Sequence, residues 1–178
     1  MTNTITLITG APGSGKSTVG RLVAEHFPKS LLINVDHLRE MMVSGFASPA
    51  DGWSEVAYQQ FQRARTTAIY MAQLYASQGV DVVIDDVCVP YMFADHYTAL
   101  FENSQAQRIL LMPKLETLIE RIKQRGNQWD HVLVEVVPEI YSYLDPMPKD
   151  GWIVLDSSAW TIEQTVQKVL SRIDNHKS

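Results

Sequence analysis

Five short runs along the chain are almost wholly apolar: 5–9, 31–35, 80–84, 107–112 and 152–155. Their brevity and β-branched content predict strands, and their lack of a polar face predicts strands covered on both sides, as in a parallel sheet. Longer stretches of helical period lie between them. Val19, Leu22, Val23 and Phe27 share one face, as do Leu115, Leu118, Ile119 and Ile122. Ser54 is placed to cap a long helix reaching about Gln78, with Ala57, Phe61, Ala64, Ala68, Ala72 and Tyr75 on its apolar face and Gly79 closing it. Thr161 and Gln164 form a capping box for a last helix carrying Ile162, Val166, Val169, Leu170 and Ile173. Pro90 is expected to open a helix through about Phe101. Val132–Val137 reads equally as helix or strand, and Pro138 is expected in the first turn of a helix bearing Ile140, Tyr141 and Leu144.

Alternation of this kind predicts an α/β domain, residues 1–178, with a five-stranded parallel sheet and helices on both faces in three layers. Ligands of such sheets bind beyond the carboxyl ends of the strands. Gly10, Asp36 and Asp85 each follow a predicted strand directly, so residues far apart in sequence are expected on one rim.

Composition narrows the picture little. The hydrophobic share of 46% and charged share of 20% fit a globular domain. A net charge of −5 argues against broad nucleic-acid binding, which needs a basic surface. One cysteine, Cys88, cannot form an internal disulfide, which fits a reducing compartment. No signal peptide and no run of membrane-spanning length is read, so the expected location is the cytoplasm.

The chemistry starts at Gly10-Ala11-Pro12-Gly13-Ser14-Gly15-Lys16-Ser17, followed by Thr18. A glycine, four residues and then Gly-Lys-Ser between a strand and a helix is the phosphate-loop pattern. Its amides cradle phosphate, the helix dipole favours the same anion, Lys16 reaches the outer phosphates and the Ser17 hydroxyl can ligate Mg²⁺. Nucleoside triphosphate binding follows. Around it stand candidates for phosphoryl transfer. Asp85 or Asp86 holds Mg²⁺ through water. Asp36 is a general base, or else the cap of the next helix. Arg39, one turn on, grips substrate or pairs with Asp36. Arg121 and Arg125 share a helix face and can close over the triphosphate, or else form a solvated helix end. Trp53 and Trp129, in loop-like surroundings, can contact substrate. The five histidines show no metal-ligand spacing.

Together these segments resemble the small phosphate-loop kinases, a group that includes polynucleotide 5′-hydroxyl kinase, chloramphenicol phosphotransferase, and gluconate and shikimate kinases. Asn34-Val35-Asp36-His37-Leu38-Arg39 is similar to the family's acceptor segment, Val83-Ile84-Asp85-Asp86 to its third-strand acidic motif, Glu120–Asn127 to its lid, and Leu155-Asp156-Ser157-Ser158 to its segment beside adenine. The resemblance implies strand order 2-3-1-4-5 and a lid at about 121–137. It further implies ATP and Mg²⁺ as cofactors, Lys16, Asp36, Arg121 and Arg125 as catalytic residues, and Ser17 and Asp85 at the metal. Asp36, Arg39 and Asp86 are then expected at the substrate, though which of Asp85 and Asp86 serves the metal stays open. Val87 stands where polynucleotide kinases carry asparagine, and Gln128 where many relatives have a basic residue. The expected activity is phosphoryl transfer to the hydroxyl of a small molecule, with polynucleotide 5′ ends and a regulatory ATPase as alternatives.

Overall fold

A computed structural model describes residues 3–49, 52–87, 96–101, 106–145 and 151–177. Cys88 and Pro90 lie outside these residues. The strands are β1 (Ile5–Thr9), β2 (Ser30–Asn34), β3 (Asp81–Asp85), β4 (Gln107–Leu111) and β5 (Trp152–Leu155). They form one sheet in the order β2-β3-β1-β4-β5, with every neighbouring pair parallel. The helices are α1 (Lys16–His26), α2 (Val35–Glu40), α3 (Glu55–Ser77), α4 (96–101), α5 (Leu115–Arg125), α6 (Asp130–Leu144) and α7 (Ile162–Lys177).

Strand side chains alternate between the faces. Ile5, Leu7, Val82 and Ile84 pack with Ala64, Ala68 and Ala72 of α3 and with Tyr97 and Leu100 of α4. Ile8, Val83, Ile109 and Leu111 pack on the opposite face with Val19 and Val23 of α1 and Val169 and Ile173 of α7. Leu110 joins Leu118 and Ile122 of α5 and Val137 and Leu144 of α6. The result is the three-layer α/β arrangement expected of the sequence.

Helix ends follow local chemistry. The Ser54 side chain accepts from the Ala57 N–H at 3.2 Å, and Thr161 and Gln164 exchange hydrogen bonds of 2.9 and 3.2 Å. Two expectations need correction. Residues 132–137 are helical, and Pro138 lies well inside α6, which starts at Asp130 rather than near the proline. A proline interior to a helix forfeits one backbone bond; Val137 and Leu144, buried on either side of it, keep α6 packed. Strand β2 ends at Asn34, so Asp36 sits in the first turn of α2 rather than at the strand end. Among the described residues no helix is long and apolar enough to cross a membrane.

Candidate active site

Residues 10–15 connect β1 to α1 beyond the carboxyl end of the sheet. Gly13 and Gly15 have φ of 83° and 87°, a region that disfavours side chains. A Cβ on Gly13 would lie 2.8 Å from the Leu118 carbonyl, and one on Gly10 would lie 2.6 Å from that of Leu111. The loop is thus pressed onto β4 and α5. Helix α1 opens at Lys16 with no side-chain cap and no acidic residue in its first turn. Its first amides and dipole are left for an anion. The Ser14 hydroxyl is buried without a hydrogen-bond partner among the described residues.

Strand parity separates the two neighbouring aspartates. Val83 and Asp85 point to the α1 face, where both lie close to Gly20; Val82, Ile84 and Asp86 point to the α3 face. Asp85 stands opposite Asn34 in the β2–β3 register, and the Asn34 Nδ2 donates to Asp85 Oδ2 at 2.7 Å. Burial raises the Asp85 pKa above the ordinary carboxylate value; Lys16, Ser17 and Asn34 pull it back, and Asp36 adds to the rise. Asp85 Oδ1 is buried and has no hydrogen-bond partner among the described residues. An orphaned carboxylate oxygen beside Ser17 and Lys16 fits a hard cation held between the protein and a phosphate.

Asp86 is already occupied. Its Oδ2 accepts from Arg65 Nε at 2.6 Å and from the Tyr97 hydroxyl at 3.0 Å, and both members of the ion pair are about 1% exposed. Arg65 also donates to the Val87 carbonyl at 2.8 Å and to His96 Nδ1 at 3.1 Å. Arginine has no acceptor atom, so that imidazole nitrogen carries no proton. Sequence reasoning missed Arg65. Its signal was an arginine four residues after Phe61, beside the apolar stripe of α3.

Asp36 and Arg39 share α2, and Arg39 Nη1 donates to Asp36 Oδ1 at 3.3 Å. Their exposures differ: the Arg39 side chain is 4% accessible and that of Asp36 50%. Arg39 stacks on Phe61, with its guanidinium carbon 3.6 Å from the ring centre, and donates to the Ala47 carbonyl at 3.2 Å. Its burial lowers its pKa, against the raising effect of Asp36. Asp36 does not cap α2, because the Asn34 side chain accepts from His37 N–H at 2.9 Å and takes that place. Gln60 holds the loop after α2, accepting from Ala47 N–H at 3.0 Å and donating to the Gly45 carbonyl at 2.8 Å. Trp53, about half exposed, stacks on Phe61.

Arg121 and Arg125 lie on α5, as their spacing required, and both are engaged. Arg121 donates to the Ser157 carbonyl at 2.8 Å, which ties α5 to the segment after β5. Arg125 pairs with Asp130 at the start of α6, where Asp130 also accepts from Asn127 N–H at 2.7 Å. Residues 121–137 thus cover the end of α5, the link at Gly126 and the first half of α6. Asp156 accepts from the Ser158 N–H at 2.9 Å, while the Ser158 hydroxyl accepts from Lys114 N–H at 2.8 Å.

Comparison with known proteins places the family and the fold. A family model described as "AAA domain" matches residues 5–146. No match was found among curated proteins. Among solved structures the fold is similar to a sugar kinase from Janibacter sp. (TM-score 0.70, 18% identity, covering 98% of this chain and 95% of that one). It is similar to shikimate kinase from Acinetobacter baumannii in complex with shikimate (TM-score 0.67, 18% identity, 98% and 94%). It is also similar to a gluconokinase from Sinorhizobium meliloti (TM-score 0.66, 18% identity, 98% and 93%).

Proposed function

The chain belongs to this AAA domain family, and on that premise we propose that it is a kinase transferring the γ-phosphoryl group of ATP to a hydroxyl of a small molecule. The observation that carries the reading is the rim itself: an uncapped α1 behind the glycine loop, Lys16 at its start, and the orphaned Asp85 Oδ1 alongside. The loop amides and Lys16 hold the β- and γ-phosphates. Ser17 and Asp85 would hold Mg²⁺, which when bound neutralises charge on the phosphate oxygens. Asp36, the half-exposed carboxylate of α2, accepts the proton of the attacking hydroxyl. Arg39 orients Asp36 from its buried place against Phe61. Asp86 serves the acceptor side through Arg65 rather than by touching substrate. Arg121 and Arg125 exchange their present partners for the triphosphate when the 121–137 segment closes.

The charge of the acceptor side favours an uncharged alcohol. Between residues 35 and 107 the lysine and arginine positions are Arg39, Arg63 and Arg65. Arg39 and Arg65 are buried against internal partners, and exposed Arg63 leans on Gln59. An acceptor with several negative charges, such as a polynucleotide end, finds little there to neutralise it. The test is a screen of hydroxyl compounds with labelled ATP, run on the chain and on Asp36→Asn. Transfer to a neutral alcohol that is lost in the variant supports the reading; transfer unchanged in the variant removes Asp36 from it.

A further inference from the structure

Asn34 opens the acceptor-like segment 34–39 without a role of its own there, yet its side chain touches two parts of the site. It is the last residue of β2 and the cap of α2. Its Oδ1 accepts from His37 N–H at 2.9 Å, and its Nδ2 donates to Asp85 Oδ2 at 2.7 Å. The amide orientation has one solution, because the His37 backbone N–H can only donate and so must meet the amide oxygen. The contact arises from sheet register, which sets Asn34 directly across from Asp85 on the neighbouring parallel strand. Of the two Asp85 oxygens, the one bonded to Asn34 is thereby spoken for. The other, Oδ1, is buried and without a partner among the described residues.

We propose that Asn34 is a positioning residue that ties helix α2, which bears Asp36, to Asp85, holding Oδ2 so that Oδ1 is left for the Mg²⁺ that Asp85 would hold. The inference rests on the kinase reading and assigns this one amide two roles: its oxygen begins α2, one turn of which carries Asp36, and its nitrogen aims Asp85. A shift of α2 relative to β3 would break one contact or the other. The hydroxyl proton acceptor and the cation site therefore stay in register.

Separating the two roles tests it. Asn34→Ser retains a capping oxygen but lacks an amide nitrogen to reach Asp85. The probe is ADP, titrated calorimetrically with and without Mg²⁺ into the full chain, with thermal unfolding as the control for folding. Outer partners of metal ligands typically change metal affinity about 10–100-fold. Accordingly, the gain in ADP affinity produced by Mg²⁺ is expected to shrink by about that factor in Asn34→Ser. Metal-free ADP affinity and the unfolding midpoint should stay near those of the parent. A parent-like Mg²⁺ gain in Asn34→Ser would reduce Asn34 to a helix cap and overturn the inference while leaving the kinase reading intact. Failure of the parent chain to bind ADP at all would remove both.

Discussion

The two halves of the rim treat their polar groups in opposite ways. On the α1 side the loop leaves them open: an uncapped helix start, the buried Ser14 hydroxyl and Asp85 Oδ1 lack protein partners among the described residues. On the α3 side the protein answers most of its own charges, although Arg39 Nε is buried without a hydrogen-bond partner among the described residues. Arg65 is closed in by Asp86, Val87 and His96, and Arg39 by Asp36, Ala47 and the Phe61 ring. Open groups cost stability and wait for a ligand; closed ones hold a shape. The contrast teaches that a charged residue beside a site is not for that reason a ligand of it. Asp85 and Asp86 are adjacent in sequence, yet strand parity sends one to each regime.

The sharpest way to break this contrast is at Asp36, the acceptor-side carboxylate that stays half exposed. Asp36→Asn should lower phosphoryl transfer about 10²–10⁴-fold, the usual span for losing a general base. ATP affinity, read by calorimetry, should hold. A comparable loss of ATP binding would mean that Asp36 belongs to the phosphate half.

Next comes the buried pair. Arg65→Met alone strands Asp86 in the interior and should cost about 3–5 kcal/mol in denaturant unfolding. Arg65→Met with Asp86→Leu should recover most of that loss, since paired apolar replacements are tolerated. If Arg65→Met leaves unfolding unchanged, Arg65 and Asp86 do not form a closed buried pair.

A smaller effect is expected at the α5–α6 link. The Arg125 hydrogen bond, ahead of the cost of burial and of the Asn127 amide, holds the Asp130 pKa below its ordinary value of 3.8. A depressed folded pKa gives stability that is present above the unfolded value and lost as pH falls through the folded one. Arg125→Gln should therefore unfold slightly earlier than the parent at neutral pH, with the difference fading below about pH 4. A difference that persists in acid would assign the effect to packing rather than to the ion pair. Smallest of all, Ser54→Ala should cost about 1 kcal/mol in unfolding and leave nucleotide affinity unchanged.

The phosphate half was readable in the sequence because its function is written in backbone. Glycine spacing, one lysine and one serine specify a loop whose chemistry needs no distant partner. The layers were readable for a similar reason, since buried strands and amphipathic helices advertise their period. The acceptor half was not. Arg65 meets Asp86 across 21 residues, and Asn34 meets Asp85 across 51, through register that no local pattern encodes. Parity along 82–86 alone could have assigned Asp85 to the α1 face, as the alternation of Val82, Val83 and Ile84 shows. Pro138 misled because its preference for a first turn was outweighed by the packing of α6.

The central claim is that the open α1 rim gathers a nucleoside triphosphate. Calorimetric titration of ATP with Mg²⁺ into the folded chain, beside the same titration into Lys16→Ala, tests it most directly. The account predicts one saturable site in the parent, weakened about 10–100-fold in the variant, as when one hydrogen bond to a charged group is lost. Absence of binding heat from the folded parent, or equal affinity in the two proteins, would contradict it.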